Sequence, residues 1–396
     1  MSPSFTFRGP ALFSYGFRPF FLAATLFALG VIPLWWLVWT GRVALASPLH
    51  PTDWHIHEMI YGYGAAVVAG FLFTAVPNWT GRLPTRGWPL AGLLALWLAG
   101  RLAVAGVFGL GALATALVDQ AFLLAVAAMI AREIVAGKNW RNLKVLVPVS
   151  LLWLANIAYH AEAALAGTAW HGHRAGIALL IFLILLIGGR IVPSFTRNWL
   201  VQRGATALPV PFSRFDGLSL AGGALALVSW VAAPESLATA VLCGLAALLH
   251  LGRLARWRGH ATWRSPLLLM LHLAYLFVPL GLAAASAAAL ALTTEATATH
   301  LLGIGAIGGM TVAVMMRATM GHTGRPLVAG PLLTAAFGLT LLASLLRAAS
   351  DLMPGGPALS ALLWTAAFAL LALRLGPALS LPKTARRHPS SLAPKG

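Results

Sequence analysis

The chain has 396 residues, 59% of them hydrophobic and only 9% charged, with a mean hydropathy of +0.84, where soluble domains carry about 25% charged residues. That balance excludes an ordinary soluble enzyme or binding module and marks an integral membrane protein. The net charge of +18 would suit nucleic acid if it formed one patch, and the single Cys243 excludes an internal disulfide or a Cys-rich metal site, leaving it as a small buried residue of an apolar helix.

Apolar windows long enough to span a bilayer as helix follow one another at 18–40, 57–77, 88–108, 112–131, 143–161, 173–193, 214–232, 236–256, 265–288, 299–319, 328–348 and 356–378. They predict an all-α polytopic membrane protein of about twelve transmembrane helices, with no polar stretch long enough for a separate soluble domain and no cleavable signal peptide. The first helix opens in Phe17-Arg18-Pro19-Phe20-Phe21 and closes in Trp35, Trp36 and Trp39, residue types that suit the two headgroup levels. With the N-terminus in the cytoplasm, all of the 27 Lys and Arg residues except Arg42, Arg101, Arg174 and Arg347 fall on the cytoplasmic side. The acids Asp53, Glu162, Glu235, Glu295 and Asp351 fall opposite. This positive-inside bias puts both termini in the cytoplasm and makes the lipid bilayer, not nucleic acid, the partner of the basic residues.

The second helix opens in Asp53-Trp54-His55-Ile56-His57-Glu58-Met59. Two histidines and two acids at the mouth of a membrane helix are costly without partners, a metal or water. His55 and His57 lie about 200° apart around a regular helix. Either His55 ends the preceding loop and turns back, or the two serve separate centres. Glu58 is either an acceptor that orients a ligating imidazole or a cap-like carboxylate at a helix start. Arg101, about half-way down the third helix, calls for a partner or a function. His160, which follows Asn156 and Tyr159, and His272 in the ninth helix are each a ligand or a hydrogen-bonded core histidine. Met315, Met316 and Met320 beside His322 are soft Cu(I) donors or simple packing. Gly62, Gly64 and Gly70, and Gly303, Gly305 and Gly308, permit either close helix approach or a flat macrocycle beside a histidine. Acids are too few and scattered for a paired-carboxylate hydrolase, and no nucleophile motif or phosphate-binding glycine loop occurs. Imidazole is the main functional group on offer, and it suits haem iron and copper.

An internal repeat orders these features. Thr80, Thr196 and Thr323 follow His57, His173 and His300 at one constant offset, and Thr80-Gly81-Arg82 matches Thr323-Gly324-Arg325. Pro77 and Pro193 also correspond, where the third copy has Met320. The matching helices are the second, sixth and tenth, which implies three four-helix units within one transmembrane domain, 1–140, 141–258 and 259–380, followed by a basic tail, 381–396. Three histidines would then stand around a pseudo-threefold axis.

Several motifs resemble the NnrS family of membrane proteins. They are Phe17-Arg18-Pro19-Phe20, the run Asp53 to Met59, Phe71 to Arg82, Gly189 to Asn198, and His300 through Gly321-His322-Thr323-Gly324-Arg325-Pro326. The resemblance covers almost the whole chain. It implies a twelve-helix protein of the bacterial inner membrane that contains haem b and copper and serves the nitric oxide response, denitrification and protection against nitrosative stress. By motif, His55, His57, His300 and His322 carry over as its histidine positions, with His160 and His272 as further metal candidates. The expected haem ligands are His57 and His300 as an axial pair, with His55 beside them and copper among the remaining histidines. Glu58, Arg82 and Arg325 are expected to support the cofactors. Nitric oxide or an iron-nitrosyl species is the expected partner, together with an electron donor, and turnover is not implied. The three-by-four plan also resembles the catalytic subunit of haem-copper oxidases, whose second and tenth helices hold the low-spin haem. The likeness stops at the copper histidines, because the seventh helix here has no His and the tenth no His-x-His. The alternative from a different class is a secondary transporter with a His-lined polar pathway and no redox cofactor.

Overall fold

A computed structural model describes residues 7–383; most of the basic tail, with His388, lies outside the described residues. All regular structure among these residues is helical. Twelve helices form the bundle: α1 (Phe17–Trp39), α2 (Pro51–Thr80), α3 (Trp88–Val104), α4 (Ala112–Ala136), α5 (Leu143–Ala166), α6 (Trp170–Val201), α7 (Arg214–Ala232), α8 (Leu237–Ala255), α9 (Pro266–Ala289), α10 (Glu295–His322), α11 (Gly330–Ala348) and α12 (Gly356–Ser380). Eleven are long and apolar enough to cross a membrane, and α3 is shorter at 17 residues. The protein is an all-α polytopic membrane protein, and each predicted window falls on one helix.

The largest departures from the predicted bounds are at α2 and α6. Helix α2 starts at Pro51, because proline at the first helical position needs no N–H partner and the His50 side chain accepts from Thr52 N at 3.4 Å. Asp53 then sits in the positive first turn. The His-containing motif is therefore already helical and is not the mouth of a loop. At the far end, Gly81 takes a left-handed conformation (φ 70°) and stops α2, and Gly324 (φ 75°) does the same just past α10. Each repeated Thr-Gly-Arg is a helix stop. Thr196-Arg197-Asn198 lacks the glycine, and α6 runs on to Val201.

Helices adjacent in sequence pack on one another, and α1 against α12 closes the circle. Arg18 joins these two. It is 3% exposed and donates to the carbonyls of Leu379 at 3.0 Å and Leu381 at 2.7 Å. The aromatic opening of α1, expected at the lipid interface, is instead buried, since Arg18 satisfies carbonyls that the end of α12 leaves free. Inside the circle stand α2, α6 and α10, whose apolar windows are 78%, 56% and 61% buried against 33% for α1, α7, α11 and α12. Helix α9, 67% buried, packs against α10. Tyr63 ties α2 to α10 through Thr311 Oγ1 at 2.6 Å. Gly176 lets α6 approach α2, where a Cβ would come within 2.6 Å of Ile60. Each central helix also contains a π-helical stretch, Glu58–Gly64, Ile184–Gly188 and Leu301–Gly308. Such stretches are rare and recur at functional sites.

Candidate functional site

A cavity of about 320 Å³ opens among the central helices, at the end of the bundle where α2, α6 and α10 begin. That volume lies within the roughly 300–1,000 Å³ of cofactor and small-molecule sites. Each central helix contributes one histidine to its lining: His55, His173 and His300. Trp35, Tyr63 and Trp364 supply aromatic wall, and Arg347 of α11 adds a cation. The His55 ring lies on Trp35, with centroids 4.6 Å apart and planes within 8°, and its Nδ1 is buried without a hydrogen-bond partner. His300 donates Nδ1–H to Ala296 O at 2.6 Å, which leaves Nε2 with its lone pair free. Gly303, also in the lining, has open space where a Cβ would stand. The other glycines singled out by sequence are filled by neighbours: Gly62 by Arg101, Gly64 by Leu180, Gly70 by Phe21, Gly305 by Phe277 and Gly308 by Trp364.

A second group of polar side chains is sealed between α2, α3, α4 and α5. His57 is 0% exposed. Its Nδ1 lies 3.2 Å from Glu58 Oε1, and its Nε2 lies 3.1 Å from Asp119 Oδ2 and 3.0 Å from Asn156 Oδ1. His160 Nε2 meets the same Asp119 oxygen at 3.1 Å, and Asn156 Nδ2 donates to it at 2.7 Å. Arg101 donates to Glu58 Oε1 at 2.7 Å and to Asp119 Oδ1. Two glycines make this possible: a Cβ on Gly62 would lie 2.7 Å from Arg101 Nη1, and one on Gly100 would lie 2.9 Å from Asp119 Oδ1. Tyr61 and Tyr159 pack on the His57 ring, and their hydroxyls are spent on the Gly172 and Asp53 carbonyls, at 2.7 Å each.

His57, Asp119 and His160 offer ligand atoms that all lie within 4.8 Å of one another, the one such group among the described residues. With both imidazoles neutral, Glu58 and Asp119 outweigh Arg101 by one negative charge. A buried excess charge is costly, so the cluster calls for one more positive charge, a bound cation or a proton on an imidazole.

The structure does not bring together the expected axial pair His57 and His300. His57 does not line the cavity and both its ring nitrogens are engaged; His55 takes its place, because a helix that starts at Pro51 turns the two histidines to different sides. Glu58 is not a cap: it lies beyond the second turn and pairs with Arg101 and His57. Arg101 is in the last turn of α3, since that helix stops at Val104. His272 is a hydrogen-bonded core histidine on α9. The Thr196 hydroxyl donates to Val192 O and accepts from His272 Nε2 at 2.8 Å. His322 is exposed and rests on the Phe17 ring, while Met315, Met316 and Met320 are core packing. Arg82 pairs with Glu133 at 2.7 Å, and Arg325 follows the end of α10; both are at the far end from the cavity. Cys243 is buried, as expected.

No sequence motif marks Asp119. The available signal was a carboxylate inside a 25-residue apolar helix, together with an Arg101 already in need of a partner. His173 was marked only by the repeat. No curated protein matches the chain. The model of a family described as NnrS protein matches residues 11–383, nearly the whole sequence, and the chain belongs to the NnrS family.

Proposed function

We propose that this chain is a haem- and copper-containing protein of the bacterial inner membrane. On this reading it binds or processes nitric oxide, or an iron-nitrosyl species, in the nitric oxide response linked to denitrification. The observation that carries the reading is the convergence of His55, His173 and His300, one from each central helix, on one aromatic-walled cavity. These residues fit a haem. His300 has a free Nε2, His55 an unpartnered Nδ1, Gly303 a bare backbone, and Arg347 a charge for a carboxylate. His300 with either His55 or His173 would hold the iron. A bound haem b would supply one-electron chemistry, and release of one of the two histidines would open a position for nitric oxide.

Copper would be held by His57 and His160, whose imidazoles suit it, with Asp119 as the third donor of the group. A cuprous ion would bring the buried cluster to neutrality. Around it, Glu58 orients the His57 ring from Nδ1, Arg101 compensates both carboxylates, and Tyr61 with Tyr159 excludes water. The basic residues support an orientation with the histidine-bearing end facing outward and both termini cytoplasmic. Reduction of nitric oxide would require an electron donor.

The test is metal analysis of detergent-purified protein, with a reduced-minus-oxidised spectrum before and after nitric oxide. Stoichiometric iron and copper, with a b-type band shifted by the gas, is the expected result; colourless metal-free protein, made with haem available, overturns the reading. One observation favours a transporter instead: a cavity of about 970 Å³ at the other end, lined by Lys144, Arg190 and Arg197. Metal-free protein that takes up an anionic solute would establish it.

A further inference from the structure

The histidine cavity has a neighbour deeper in the bundle. At mid-length between α2, α6 and α10 lies a second cavity, about 80 Å³ in volume. Leu180 and Ile307 line both, so these two side chains form the partition. Past it, toward the ends of α2 and α10, a third cavity of about 470 Å³ shares Phe71, Ile191 and Val314 with the second. The three voids are stacked along the central helices.

The middle cavity is partly enclosed, and its lining is apolar except for the Thr311 hydroxyl. That hydroxyl donates within α10, 2.8 Å from Ile307 O, and receives the Tyr63 hydroxyl at 2.6 Å. No donor is left aimed into the space. A buried water needs two to four polar partners, and apolar cavities of this kind stay dry and take up xenon or small hydrocarbons. One bare backbone helps to form the void: at Gly188 nothing lies closer than 3.7 Å to where a Cβ would stand. Gly188 falls within a π-helical stretch.

We propose that this mid-membrane void is a binding site for a small, neutral, apolar gas molecule, and that Leu180 and Ile307 gate its passage to the histidine cavity. Such a molecule partitions into lipid and meets no polar barrier in the void, whereas an ion or a hydrogen-bonding solute would be stripped of partners there. The gas site stands on its own geometry. The gate rests on the proposed function for what the molecule meets in the histidine cavity.

Xenon tests the site on the purified full chain, without regard to metal content. Xenon-pressurised crystals are expected to show an anomalous peak between α2, α6 and α10 that is lost in Val68→Phe and in Gly188→Leu, either of which fills the space. No peak in the unaltered protein, ordered water, or an acyl chain in the void would overturn the site. The gate is read by stopped-flow mixing with nitric oxide, where Ile307→Ala is expected to speed the optical response. An unchanged rate with xenon still bound would make the void a dead end. If the unaltered protein gives no optical response while xenon binds, the proposed function fails and the gas site remains.

Discussion

His55 and His57, two residues apart on one helix, lie in different surroundings. The ring of His55 lies on Trp35 in the wall of the open cavity, whereas His57 is sealed against Glu58 and Asp119 with no exposed surface. A single helical strip thus joins the two groups of histidines. Substitutions at these neighbours are expected to separate their effects: His55→Ala lowers haem content and spares copper, and His57→Ala does the reverse. Iron and copper measured on the same preparations check this.

Arg101 pairs with both buried carboxylates, Glu58 and Asp119. Arg101→Met would leave Glu58 and Asp119 uncompensated in the interior, a loss on the order of 3–5 kcal/mol when one partner of a buried pair is removed. The variant is expected to unfold at clearly lower temperature in detergent. Arg101→Met combined with Asp119→Asn is expected to recover part of that loss, and a thermal melt of both reads the difference.

Gly303 gives a test of cavity occupancy with little disturbance of the fold. A Cβ there meets nothing within 4 Å, so Gly303→Ala is expected to fold and load cofactor normally. Gly303→Leu places a branched side chain in the lining beside His300. It is expected to keep the melting behaviour of the parent while its haem band falls.

Arg18 closes the circle of helices by bonding two carbonyls at the end of α12. Arg18→Ala removes two charge-assisted bonds, each worth about 1.5–3 kcal/mol. Proteolysis near the end of α12 is expected to become faster, and metal content is expected to remain, because the histidines of the cavity and of the buried cluster lie at the other end of the bundle.

The twelve helices were legible because an apolar stretch of spanning length is a one-dimensional signal. The central three were legible through the constant offset from His57, His173 and His300 to a threonine. Which histidine of the first helix of that set faces the cavity was not. It depends on where α2 begins, set by Pro51 and His50, and a shift of one residue turns a side chain by about 100°. The buried cluster was hidden for another reason: its members come from four helices, and only packing shows that Asp119 meets Arg101, His57 and His160. The π-helical stretches have no propensity signature to read. A buried Arg18 looks the same in sequence as one anchored at the lipid interface, because its carbonyl partners lie at the other end of the chain.

The most direct test of two separate centres is to measure iron and copper in His300→Ala and His160→Ala, purified alongside the unaltered protein. The expected result is a crossed loss: His300→Ala without haem iron but with copper, and His160→Ala without copper but with its haem band. Loss of both metals in either folded variant, or normal content of both metals in the two variants, would contradict the assignment of haem to the cavity and copper to the buried cluster.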